Sequence, residues 1–173
     1  MNTVEPVTAV QLALEVMPHF IKSVVDERRV RTYGSYCRAI GLDPVEYGRS
    51  MGKAMHAVGA ACVVRRVPIA PLYWVERENG TDGEIFERRW RESAQVLPHR
   101  DFLYCVARDH RYTAEELRAV EATLSKAVES GYSPDRMWDV VIKGKPKGQA
   151  KTGFVLALER YKEIEQELRH RTI

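Results

Sequence analysis

RTYGSYCRAIGLDPVEYGRSMGKAMHAVGAACVVRRVPIAPLYWVERENG, residues 31–80, decides how the rest of the chain is read. It parses as two helices joined by a short turn, followed by two short extended segments. The first helix starts at Thr32, whose hydroxyl suits an N-cap, and stops at Gly41. Tyr36, Cys37 and Ile40 fall on its inward side. The second helix is expected from about Pro44 to about Ala60, with Asp43 as N-cap and Pro44 in the first turn. At helical spacing Met51, Met55 and Val58 share one side, and Arg49, Lys53 and His56 share another. Gly48, Gly52 and Gly59 recur on nearly one line. Glycine costs about 0.8–1.0 kcal/mol per residue in a helix interior, so the three imply close approach of a backbone or ligand. Cys62 to Arg66 and Leu72 to Val75 read as strands, the latter rich in β-formers. A basic helix face with small residues is what a duplex groove admits. The expected fold is mainly α, a winged helix-turn-helix with a small β wing and a helical C-terminal extension.

This stretch resembles the DNA-binding domain of the alkylguanine-DNA alkyltransferases and of the alkyltransferase-like proteins. Thr32-Tyr33-Gly34 matches the family's entry to its first motif helix, and Ala39-Ile40-Gly41 matches that helix's close. Arg49, Gly52, Ala54 and Met55 match the Arg-x-x-Gly-x-Ala-Met of its recognition helix. Pro71 and Val75 fall on the proline and valine of its Pro-Cys-His-Arg-Val active-site motif, and Gly80 on the glycine of the turn that follows. The resemblance covers roughly residues 7–90. It implies that Tyr33 presses on a DNA phosphate and that Arg49 fills the vacated base stack. The residues alone leave other readings open. Tyr33 at a helix start is as readily a packing residue, and Arg49 a solvated charge.

In the same register Leu72 stands at the alkyl-acceptor cysteine, and Tyr73 and Trp74 replace the family's histidine and arginine. Glu84, Ile85 and Phe86 stand near its substrate-loop residues. Alkyl transfer needs a thiolate nucleophile activated by a base. Leucine offers no nucleophilic atom, so a non-catalytic protein is expected. Lys53, His56, Arg65 and Arg66 are the further candidates for DNA contact. Leu72, Tyr73 and Trp74 would line any pocket that persists. The alternative for the aromatic pair is the core, and for Arg65 and Arg66 plain solvation.

The chain has 173 residues, 45% hydrophobic and 29% charged, with a net charge of +3. These are the proportions of a globular protein with a real core. So small a basic excess means that any DNA contact depends on local charge. Cys37, Cys62 and Cys105 are odd in number and match no metal spacing, so buried thiols in a reducing cytoplasm are expected, without disulfide, metal or cofactor. No apolar run approaches membrane length, and the N-terminus does not read as a signal peptide.

Val7 to about Val25 reads as a helix with Val10, Leu14, Met17, Ile21 and Val24 on one face, kinked or split at Pro18. Asp26 to Arg29 reads as a turn, and Val30-Arg31 as a strand start. The resemblance implies a winged-helix domain over residues 1–90. Residues 91–173 then form a helical extension packed on it. A helix is expected over Glu84 to Gln95. FLYCVA, residues 102–107, is strand or buried helix. Thr113 opens a helix to about Glu129 through a Thr-x-x-Glu capping box. Ser133-Pro134 opens another, carrying Met137, Trp138, Val141 and Ile142. KGKPKGQAK, residues 143–151, reads as a basic linker, and Thr152 caps a last amphipathic helix.

Three functional readings follow. The first is a non-catalytic protein that binds double-stranded DNA. The second is a protein–protein interaction effector of the phage or mobile-element type, which could engage its partner through residues 143–173. The third is an enzyme using His99, Asp101, Asp109 and His110, since imidazoles and carboxylates bind metals or move protons.

Overall fold

A computed structural model of the chain describes residues 8–76 and 100–143. The expected helix at Glu84–Gln95, the last helix from Thr152, the linker beyond Lys143 and His99 lie outside the described residues. The rest is mainly helical. In chain order it comprises α1 (Ala9–Ile21), a π-helix (Lys22–Glu27), β1 (Arg31–Thr32), α2 (Tyr33–Ala39) and α3 (Pro44–Val64). Then come α4 (Pro71–Trp74), β2 (Val75–Glu76), α5 (Arg100–Asp109), α6 (Ala114–Glu129) and α7 (Pro134–Lys143).

The helix starts are set by short polar caps. Thr8 opens α1 with a capping box closed by Gln11, Thr32 accepts from the Ser35 N–H, and Asp43 from the Val45 N–H. Thr113 and Glu116 form the capping box of α6. α1 continues through Pro18, which lies on its exposed side, and widens into the π-helix one turn later, so no split occurs at the proline. Val10, Met17 and Val24 are buried as expected, with Leu14 and Ile21 partly so.

α2, α3 and α6 end alike. At each, the residue after the C-cap takes a left-handed conformation and two N–H groups fold back onto the last turn. Gly41 and Leu42 donate to Arg38 and Cys37, Arg66 and Val67 to Val63 and Cys62, and Gly131 and Tyr132 to Val128 and Ala127. Gly41 and Gly131 adopt φ of +79° and +70° without a Cβ penalty. Arg66, at φ +59°, does carry that penalty. Arg66→Gly is therefore expected to stabilise the fold by up to about 1 kcal/mol. An unchanged or lower urea midpoint would count against this account.

Of the two strand expectations after the recognition helix, the first fails and the second holds only at Val75, which opens β2. Cys62 to Val64 continue α3, and Pro71 to Trp74 form a helical turn in which Leu72 donates to the Ile69 carbonyl and Tyr73 and Trp74 to that of Ala70. The valines of the first segment and the aromatic residues of the second favour strands, but propensity is a weak prior that packing overrides. FLYCVA lies in a helix, α5. The sheet is parallel, pairing Arg31 with Val75 and Thr32 with Glu76. It thus joins the entry of α2 to the exit of α4, rather than forming a hairpin after α3.

One hydrophobic cluster runs from α1 through α3 to α6 and α7, including Phe20, Met55, Leu117, Leu124 and Trp138. Buried hydrogen bonds stitch the late helices to the early ones. The Trp138 indole donates to the His56 carbonyl at 2.7 Å, the Tyr112 hydroxyl to Pro68 at 2.7 Å, and the Trp74 indole to Ala107 at 2.8 Å. Among the described residues no helix is long and apolar enough to cross a membrane.

Candidate nucleic-acid interface

α3 changes character along its length. From Ala54 to Val63 every residue is buried, whereas its first turns lie at the surface. Arg49 and Lys53 are exposed there, with Val45 at 94% exposure one turn before Arg49. Gly48 directly precedes Arg49, and Gly52 directly precedes Lys53. A methyl group placed on either glycine would meet nothing within 4 Å. Among the described residues nothing makes the close approach inferred from these two glycines, which leave a shallow stretch of backbone. Asp43 and Glu46, both exposed, place negative charge at the helix start. The positive charge of this face therefore begins only with Arg49.

His56 does not belong to that face. It is 1% exposed, its ring is stacked on Trp138 at 5.3 Å and 25°, and its carbonyl receives the Trp138 indole. Helical period aligns it with Arg49 and Lys53, but α7 covers that line of α3 before His56 is reached. A contact from His56 to a DNA backbone is thereby corrected to a core role. Tyr33, the first residue of α2, is half-buried and packs against the core cluster.

Arg65 donates through Nε to the Thr123 hydroxyl at 2.6 Å, which ties the end of α3 to α6. Arg66 beside it is exposed in its left-handed conformation. Leu72 and Trp74 are each 3% exposed and belong to the core. A pocket lined by all of Leu72, Tyr73 and Trp74 is therefore not what these side chains make. Only Tyr73 is half-buried, edge-on to Trp74 at 5.0 Å and to Tyr104 at 5.3 Å.

The guanidinium of Arg28 lies over the Trp74 ring, 5.5 Å from its centre. The sequence places Arg28 only in a turn. Its contact with a residue so distant in sequence leaves no local signature.

Of the residues of the enzyme reading, Asp109 and His110 have described side-chain partners. Asp109 accepts from Arg108 at 2.8 and 3.1 Å, which holds its carboxyl below the usual range. His110 Nε2 lies 3.1 Å from Glu116, the capping-box carboxylate of α6. The Asp101 side chain lies outside what is described. Among the described residues no group of three or more His, Cys, Asp or Glu is placed to hold a metal ion. Cys37 and Cys62 are free and buried, and burial raises both thiols, Cys62 to about 12. Neither is a ready nucleophile.

No family model, no curated protein and no solved structure matches the chain.

Proposed function

We propose that the protein is a non-catalytic binder of double-stranded DNA, built on an alkyltransferase-like helix-turn-helix, which offers the first turns of α3 to a groove. One observation carries the reading: Arg49 and Lys53 stand exposed on α3, each directly preceded by a glycine, Gly48 or Gly52, on which a methyl group would meet nothing within 4 Å. A duplex can approach such a backbone closely, while the buried second half of the same helix fixes its direction. Arg49 is the side chain that reaches between base pairs. Lys53, one turn later, meets a phosphate, with Arg66 and Arg65 as flanking backbone contacts. Leu72 in the core supplies no alkyl acceptor.

The test separates the two cations. Lys53→Ala is expected to weaken binding to all duplex sequences and to lower the salt slope by about one charge. Arg49→Ala is expected to reduce the unstacking signal of a fluorescent base analogue more than it reduces affinity. Equal effects of the two variants on both readouts would refute these roles. Wild-type protein that binds no duplex at low salt would remove the DNA reading altogether. The 94%-exposed Val45 would then favour the protein-interaction reading.

A further inference from the structure

The segment before β1 combines two unfavourable backbone features. Residues Lys22–Glu27 form a π-helix, and Arg28 ends it at φ +48°, a conformation that glycine adopts more cheaply. π-helical turns and left-handed non-glycine residues persist where surrounding structure holds them, often at binding sites. Here the result is specific. Arg28 is carried over Trp74, whose own indole is fixed by the Ala107 carbonyl. Next to Trp74 stands Tyr73, edge-on to it and to Tyr104, which is 39% exposed. Arg29 is exposed beside Arg28. Arg31 is already held by Glu27 at 2.7 Å and by Ser35 at 3.3 Å, so it adds little net charge.

We propose that Arg28, Tyr73 and Tyr104 form a second nucleic-acid contact, one that takes an unpaired nucleotide. The inference rests on the nucleic-acid reading above and adds a preference for single-stranded or locally opened DNA. A paired base hides its faces within the stack. An unpaired base exposes a π-face, which aromatic rings and guanidinium planes bind without regard to sequence. The base would lie against Tyr73 and Tyr104 or on the outer side of Arg28. Its phosphate would meet Arg28 and Arg29. Trp74 is buried and acts as the support on which Arg28 is positioned.

The conformation of Arg28 supplies a clean variant. Arg28→Gly removes the guanidinium but relieves the left-handed strain. The lost contact with Trp74 and the relieved strain are of similar size, so the melting temperature should change little. Affinity for a labelled short oligothymidine strand, read by anisotropy at low salt, is expected to fall about tenfold in Arg28→Gly and in Tyr73→Ala. Tyr73→Phe should retain it. Duplex affinity should change less than oligothymidine affinity in Arg28→Gly, and more in Lys53→Ala.

If Arg28→Gly binds oligothymidine within about twofold of wild type, the second contact does not exist, whatever the duplex result. If duplex binding is absent but oligothymidine binding is present and lost in Arg28→Gly, the α3 reading fails and this one stands. Wild type that binds neither ligand overturns both.

Discussion

Trp138→Ala is expected to cost about 3–5 kcal/mol, the range for truncating a buried aromatic residue. Trp138 is 2% exposed and joins α7 to the middle of α3 through ring stacking on His56 and its hydrogen bond to the His56 carbonyl. Truncation opens a void beside a buried histidine and removes a buried hydrogen bond between the last described helix and the core. Against a typical stability of about 5–15 kcal/mol, so large a loss brings a domain near its limit. Trp138→Phe keeps most of the apolar volume and loses only the N–H. It should cost about 1–2 kcal/mol, from the lost hydrogen bond and imperfect filling. Urea unfolding should show a lower midpoint at unchanged slope for both variants. A cost under about 1 kcal/mol for Trp138→Ala would mean that α7 lies outside the cooperative unit. Duplex affinity of the folded fraction should survive either change, because Arg49 and Lys53 are exposed in the first turns of α3, whereas Trp138 contacts His56 in its buried half.

Much of this architecture was legible because it is written in local chemistry. Thr32, Asp43-Pro44 and Thr113 with Glu116 opened helices where expected, and Gly41 closed one through its left-handed turn. These signals work through atoms within a few residues of each other, so a sequence window contains them whole. The failures share a cause of the opposite kind. Cys62 to Val64 and Leu72 to Trp74 look like strands in isolation, but their conformation is set by packing. His56 is the clearest case. Its spacing from Arg49 and Lys53 was right, and its exposure was wrong. Periodicity gives direction around a helix axis but does not say where along the axis a distant helix begins to cover it. α7 begins some eighty residues later, and nothing near His56 announces its arrival. Arg28 was missed for the same reason, since its partner is Trp74. The candidate site was thus legible where it lies on one exposed helix and opaque where it is assembled from separate segments.

The buried thiol of Cys62 leads to the second large effect, a steep loss of stability in alkali. Burial pushes this thiol from 9.0 up to about 12, against a small opposing pull from the Ala70 backbone. Burial likewise raises the Tyr36 phenol from 10.0 to about 12, with Ser23 opposing. In both cases the folded state holds its proton to a higher pH than the unfolded state does. Below the unfolded value the two states bind the same number of protons, and the stability is fully present. Above it the unfolded chain releases a proton that the folded chain retains, so stability falls as pH rises towards the folded value. Each such group contributes a slope of up to about 1.4 kcal/mol per pH unit. The window for Cys62 opens near pH 9, about one unit before that of Tyr36. Cys62→Ala should therefore flatten the decline between about pH 9 and pH 10.5 by nearly one proton, while Tyr36 still acts at the upper end. The substitution leaves the Cys62 carbonyl in place to accept from Val67 at the end of α3. Urea midpoints taken across this range, with folding confirmed at neutral pH, measure the slope directly. Parallel pH profiles for wild type and Cys62→Ala would show that the thiol ionises in the folded state as readily as in the unfolded one, contrary to its burial in the core.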